Sequence, residues 1–349
     1  MSIRKVVVVV SLAAILFVLA GLTPAAEMKL NLAPKSETVY KVVTGSGKDY
    51  QFVQPSINKT KAQHTIGKME MVFAQKIESV DSQGNAVANI TIKQLKYFSE
   101  TPQGKKADFD STKDPNKSDP LSQLIGASYK IKIAPAGGIE VIDTSAARSI
   151  IKSGSVAGAI ADKLFSDEEM ARRHQVMAMF DAGKCLCEKD RRKEAKTASS
   201  NKKANPKDSK KVSNKSCKKG DQWSSIEASP SGMLSPKTFE KIYTLTDLKK
   251  QNGQTIAVVD MNAAPSSKRA EDLSAKEPAA GFFAKMFDEK DKFTGKMVIN
   301  LTTGEIDSYQ ETLKAEWFAA ETSEDQKSDK GPDQLTMSFS YIYSIEKVK

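Results

Sequence analysis

Cysteine, histidine and tryptophan are scarce in this chain of 349 residues: three, two and two respectively. Each scarcity removes a class of chemistry. No Cys-x-x-Cys exists, so a redox dithiol is excluded. Cys185, Cys187 and Cys217 lack the two-residue spacer of common zinc sites. A site built from these three and His174 is therefore a minor alternative. His174 shares a helical face with Met170 and Met177, so it reads as a packed histidine. His64 and His174 stand in no local signature with a Ser or Cys nucleophile, and there is no Gly-x-Ser-x-Gly. The stretch "GSGKD" at Gly45 has the look of a phosphate loop. It lacks the leading glycine, and Asp49 stands where Ser or Thr would meet magnesium, so it reads as a turn. No carboxylate pair can be picked out by spacing. These absences favour a protein that is not an enzyme, with no cofactor and no metal.

What is present begins with a leader. Arg4 and Lys5 precede the apolar run Val6–Ala20, and "GLTPAAE" follows. A charged start, an apolar middle and small residues at a cleavage zone make a secretory signal over residues 1–26. The apolar run is short of the roughly 20 residues a spanning helix needs, and no later run is long enough. The expected mature product is soluble and exported, periplasmic or extracellular.

The formal net charge of +10 suggests a nucleic-acid binder. Its distribution excludes that. Loss of Arg4 and Lys5 leaves +8, and Glu188–Lys219 alone holds thirteen Lys or Arg against four acids, a balance of +9. The rest of the mature chain carries −1. The basic field belongs to one segment, and that segment has no aromatic residue to stack on bases. Sequence-specific nucleic-acid binding is not expected.

Periodicity divides the chain. "IGKMEMVFAQKIESV" puts Met69, Met71, Phe73 and Ile77 on one face by period two. "DSQGN" turns, and "AVANITIKQLKYF" returns with Ala86, Ala88, Ile90 and Ile92 on one face, a long hairpin. "TPQGKKADFDSTKDPNKSDP" reads as a polar loop. "SYKIKIAPAGGIEVID" reads as a strand pair turning at Gly137 and Gly138. Residues 27–143 thus form an N-terminal antiparallel β half. Residues 144–183 read as helical, in pieces broken near Gly154. Ser166 with Glu169 makes a capping box for a helix stopping at Gly183. Residues 184–220 form a Lys-rich insert too poor in apolar side chains to bury a core. Residues 221–349 return to antiparallel strands, with turns at "QNG" and Thr303-Gly304. On its last strand Leu335, Met337, Phe339, Tyr341, Tyr343 and Ile345 share one face. The expected class is α+β, mainly antiparallel β: two strongly curved β-rich halves joined by a central helical segment.

The succession "VDSQGNAVANITIKQLKYF", "FDS" at Phe109–Ser111, "YKIKIAPAGGIEVID", "FSDEEMARRHQVMAMF" and "KKGDQW" resembles a family of exported, β-rich bacterial proteins of about three hundred residues and unknown function. The likeness covers most of the mature chain and rests on turns and strand patterns. It implies a β-rich exported fold and no activity. The chain departs from the pattern between the helix and "GDQW", where the Lys-rich insert replaces a short connection.

Three sets of residues are candidates for function. In an oxidising setting Cys187 and Cys217 would tie the base of the insert, with Cys185 as the alternative partner. Lys202, Lys203, Lys207, Lys210 and Lys211 would contact an anionic envelope surface. Phe282, Phe283, Met286 and Phe287 would cover the concave face of a curved sheet and touch an apolar or lipid-like ligand, although ordinary core packing explains such a cluster more simply. Two roles follow. One is a non-enzymatic envelope protein that binds or carries an apolar ligand. The alternative is a structural or interaction module whose basic loop contacts anionic surfaces. A cavity favours the first and a closed core the second.

Overall fold

The segments Lys59–Val80 (β2) and Ala86–Glu100 (β3) pair antiparallel around Asp81–Asn85, as the alternation predicts. Asp81 holds that turn by accepting from the backbone N–H groups of Gln83 and Asn85, each at 2.9 Å. The structure is a computed structural model. It describes residues 30, 32–114, 116, 118–134, 138–152, 154–174, 217–230, 232–234, 237–266, 288–322, 326 and 329–348. The leader, most of the insert, and the candidates Cys185, Cys187, Lys202, Lys203, Lys207, Lys210, Lys211, Phe282, Phe283, Met286 and Phe287 lie outside these residues.

The remaining strands are β1 (Glu37–Gln54), β4 (Lys106–Asp110), β5 (Ser128–Ile133), β6 (Ile139–Asp143), β7 (Gln222–Ala228), β8 (Thr238–Gln251), β9 (Gln254–Pro265), β10 (Asp288–Asn300), β11 (Glu305–Ala320) and β12 (Gln334–Lys347). Between β6 and β7 the described chain forms three helices: α1 (Ser145–Arg148), α2 (Val156–Leu164) and α3 (Asp167–Arg173). The twelve described strands make one antiparallel sheet in the order β6-β5-β3-β2-β1-β12-β11-β10-β9-β8-β7, with β4 beside β3. Along the chain the helices separate two β halves. In space the halves are joined by β1 and β12, which pair from Tyr40–Lys347 to Val53–Gln334. The sheet is thus continuous through both halves, and a joining of the halves by the helices is not confirmed. No helix among the described residues is long and apolar enough to cross a membrane.

Two local expectations are corrected. "GSGKD" is not a turn but the middle of β1. Gly45 and Gly47 face Ile342 and Ser340 across the pairing with β12. A Cβ there would lie 3.1 Å from Ile342 Cγ2 and 2.9 Å from Ser340 Oγ. The glycines let two strands with bulky neighbours approach closely, one of the few reasons for glycine within a strand. The polar loop after Glu100 contains β4, whose five residues pair with the end of β3. α3 starts as expected, Ser166 Oγ accepting from Glu169 N at 3.2 Å, and spans Asp167–Arg173 with His174 as its C-cap; the expected stop at Gly183 lies outside the described residues.

One face of the sheet is lined by the residues that alternation selects. Met69, Met71, Phe73 and Ile77 of β2 are buried, as are Phe339, Tyr341, Tyr343 and Ile345 of β12. Each such side chain contributes about 1.5–3 kcal/mol when fully withdrawn from water. Where the register shifts, the phase shifts too. Ile92 pairs with Phe73 and Gln94 with Val72, so Lys93 is an extra residue and the next buried position is Leu95.

α2 and α3 pack on this face and tie several strands together. Thr44 of β1 donates to Glu169 Oε1 at 3.4 Å, and Tyr343 of β12 donates to the Arg173 carbonyl at 2.8 Å. Arg173 donates to the Leu164 carbonyl at 2.6 Å, satisfying an acceptor left open at the end of α2. It also donates to Tyr129 Oη at 3.2 Å. On the opposite face Glu346, Lys41, Glu70, Lys96 and Asp110 alternate in sign across β12, β1, β2, β3 and β4, at 3.6–3.8 Å. Pairs this exposed add little stability, but their alternation suits only one strand register.

Candidate functional site

In the C-terminal part of the sheet one side-chain pair spans two intervening strands. Lys241 on β8 and Glu311 on β11 are separated by β9 and β10. Three strand spacings amount to about 14 Å between backbones, most of which the two long side chains bridge. In the protein Lys241 Nζ lies 2.8 Å from Glu311 Oε2 and 4.8 Å from the centre of the Phe293 ring on β10. The strands between them carry little at that level. Gly295 on β10 pairs with Glu311, and a Cβ on it would stand 2.8 Å from the Gln310 carbonyl oxygen and 3.0 Å from Met261 Cε. The absent side chain lets the two sides of the concave face meet.

Around this pair is a cavity of about 350 Å³. Ile139 of the edge strand β6 lines one side, and Glu227 and Ala228 of the opposite edge strand β7 line another. Glu168, Ala171 and Arg172 of α3 cover it, and Lys241, Phe293, Glu311 and Tyr341 complete the wall. The sheet has therefore curled far enough for both of its edges to border one space. A smaller recess of about 120 Å³ lies between α3 and strands β1–β3, and Arg172 lines both.

Lys241 is 2% exposed and Glu311 is 1% exposed. Glu311 also accepts from the Tyr309 hydroxyl at 2.5 Å. Glu227 meets Lys241 Nζ at 2.7 Å from the other side, with its side chain 35% exposed, and it accepts from Ser225 Oγ at 3.0 Å. Burial is the largest single influence on Lys241 and opposes its charge, but Glu311 and Glu227 together outweigh it and hold the ammonium above its ordinary pKa. Burial, followed by the nearby Glu311 carboxylate, pushes the Tyr309 hydroxyl well above its usual value. A lysine kept protonated has no lone pair to offer as nucleophile or base. What it can do is bind an anion. A buried ion pair is weak evidence for stability, because desolvation consumes most of its attraction. Such a group in a cavity is better evidence for a site.

Sequence reasoning missed this cluster. Lys241, Glu227 and Glu311 are far apart in the chain. The only local sign is a charged residue at an inward position of a strand: Lys241 between Phe239 and Tyr243, and Glu311 between Tyr309 and Leu313.

The two histidines also find their places. His174 is fully buried, with Nε2 3.0 Å from the Tyr129 hydroxyl. Burial, then the Arg173 charge, lowers its pKa to about 3. It packs edge-on to Phe73 at 5.3 Å, a core histidine as its helical pattern implied. His64 is exposed and bonds Asp49 Oδ1 at 2.6 Å, while Ser338 donates to Asp49 Oδ2 at 3.0 Å. Ser, Asp and His thus meet across three strands. The serine bonds the carboxylate rather than the imidazole, so this is not the order that activates a nucleophile. The histidine bond is the main cause of the lowered Asp49 pKa. Among the described residues no group of three or more His, Cys, Asp or Glu is arranged to hold a metal. Cys217 is buried where the chain re-enters the sheet ahead of β7. Trp223 stacks on Tyr243 at 5.6 Å.

No protein-family model matches the chain, and no curated protein matches it. Among solved structures it is similar to one concerning lipid–protein interactions in lipovitellin, with 10% identity and a TM-score of 0.35. That match covers 91% of this chain and 25% of the other, so the chain spans a quarter of its neighbour. It is also similar to a DUF1329 family protein from Desulfovibrio piger ATCC 29098, with 8% identity and a TM-score of 0.10 over 88% of this chain and 85% of that one. Both likenesses are too distant to assign a family.

Proposed function

We propose that this chain is a non-enzymatic protein of the cell envelope that binds or carries an amphipathic, lipid-like ligand in the cavity beneath α3. The observation that carries this reading is the cavity itself. It measures about 350 Å³ and is bordered by both sheet edges, within the usual range of about 300–1,000 Å³ for small-molecule sites. Its lining is mixed, with Phe293, Tyr341, Ile139 and Ala171 beside the Lys241 cluster. That composition suits a molecule with one apolar and one polar end. The leader over residues 1–26 supports export.

The test is native mass spectrometry of protein recovered from an exporting host, followed by organic extraction. A bound mass that moves into the organic phase is the expected result. A bare chain from every preparation would count against a carrier and leave a structural envelope module in its place.

A further inference from the structure

We propose that the cavity selects single-chain amphiphiles with an anionic headgroup, the ligand's carboxylate or phosphate taking the place of Glu227 at Lys241 Nζ. This rests on the binding reading above and names its ligand class. The two carboxylates on Lys241 are unequal. Glu311 is enclosed and held by Tyr309 as well, so it stays. Glu227 belongs to an edge strand and its side chain is 35% exposed, so it has room to swing outward. An anion arriving through the space between the edges can displace Glu227 outward and take over its contact with the ammonium.

The charged side chains lining the cavity are Glu168, Arg172, Glu227, Lys241 and Glu311, a balance of −1 that becomes zero once Glu227 has swung out. Arg172 is already held by Glu169 at 3.2 Å and Glu168 at 3.8 Å. Glu311 is matched by Lys241. Exchanging Glu227 for a ligand acid leaves the charge around Lys241 unchanged, whereas a cationic headgroup would have to share the space with Lys241 and Arg172. Phe293 and Tyr341, beside the ammonium, offer apolar surface to the chain that follows the headgroup.

The experiment uses a dansylated medium-chain fatty acid as reporter on the full exported chain. Unlabelled dodecanoic acid, dodecyl phosphate, dodecanol and dodecylamine compete, each below micelle formation. The acid or the phosphate should compete about tenfold or more better than the alcohol, the size of one charge-assisted hydrogen bond. Which of the two competes better identifies the headgroup. Glu227→Gln should tighten the acid several-fold and leave the alcohol unchanged, a gain that misfolding cannot mimic. The paired substitution Lys241→Met with Glu311→Leu, which leaves only the part-exposed Glu227 without its partner, should abolish the preference for acid over alcohol. Equal competition by acid and alcohol, preference for the amine, or indifference to Glu227→Gln would each overturn the anionic selectivity while leaving a carrier intact. Failure of every probe to bind would overturn the carrier reading itself.

Discussion

Acid should destabilise this protein through His174 in a way that can be separated from its carboxylates. The imidazole is enclosed by Tyr129, Phe73 and Arg173. Arg173 donates to the Tyr129 hydroxyl at 3.2 Å, and the same hydroxyl shares a hydrogen bond with His174 Nε2 at 3.0 Å. A proton added to the ring would put a charge in a fully buried site and set a second cation beside Arg173. The folded pKa is accordingly about 3, against about 6.5 in an unfolded chain. Because the folded value is the lower one, the unfolded state takes up the proton first as pH falls. The contribution is complete above about pH 6.5 and is lost progressively toward about pH 3. At about pH 4.5 the loss is set by the two pH units below the unfolded value, or about 3 kcal/mol at 1.36 kcal/mol per unit. Urea unfolding of the protein and of His174→Phe at about pH 7 and about pH 4.5 measures it. The phenylalanine loses the Tyr129 bond, a cost of about 1 kcal/mol at either pH, and cannot titrate. Carboxylates titrate alike in both proteins and cancel in the difference. The parent should lose about 3 kcal/mol more than the variant on acidification. Equal losses would refute the buried, neutral histidine.

Two further predictions concern the curl of the sheet. Glu311→Gln leaves Lys241 buried against Glu227 alone and should cost about 3–5 kcal/mol, whereas Lys241→Met with Glu311→Leu should cost far less. Urea midpoints compare them, and a double variant as unstable as the single one would refute the account of that pair. Gly295→Ala places a methyl 2.8 Å from the Gln310 carbonyl oxygen, a backbone atom that cannot step aside. It should cost about 1–3 kcal/mol as an overpacked site, and an unchanged thermal midpoint would mean that the β10–β11 approach is looser than described.

Much of this architecture was legible because its causes are local. Alternation of apolar and polar side chains has the period of the strand, so Met69, Met71 and Phe73 could be placed on the buried face before any partner was known. Asn252-Gly253 and Gly304 announce their hairpins because they adopt positive φ, at 52°, 76° and 69°. Ser166 caps α3 through a bond only three residues long. The errors arose where a local cue had a distant cause. Gly45 and Gly47 have the chemistry of a turn, yet they serve a close approach to Ile342 and Ser340. β4 is short and polar because it only extends the end of β3.

The sequence by itself therefore determined a β-rich chain, the inward faces of its strands and the starts of its turns. Only the tertiary structure decided that both halves share one sheet, since β1 meets β12 from opposite ends of the described chain and pairing at that distance leaves no local mark. It alone placed Lys241 against Glu311, seventy residues away in sequence. Alternation chooses a face, whereas a contact across that face depends on how far the sheet has curled, a property of all its strands together.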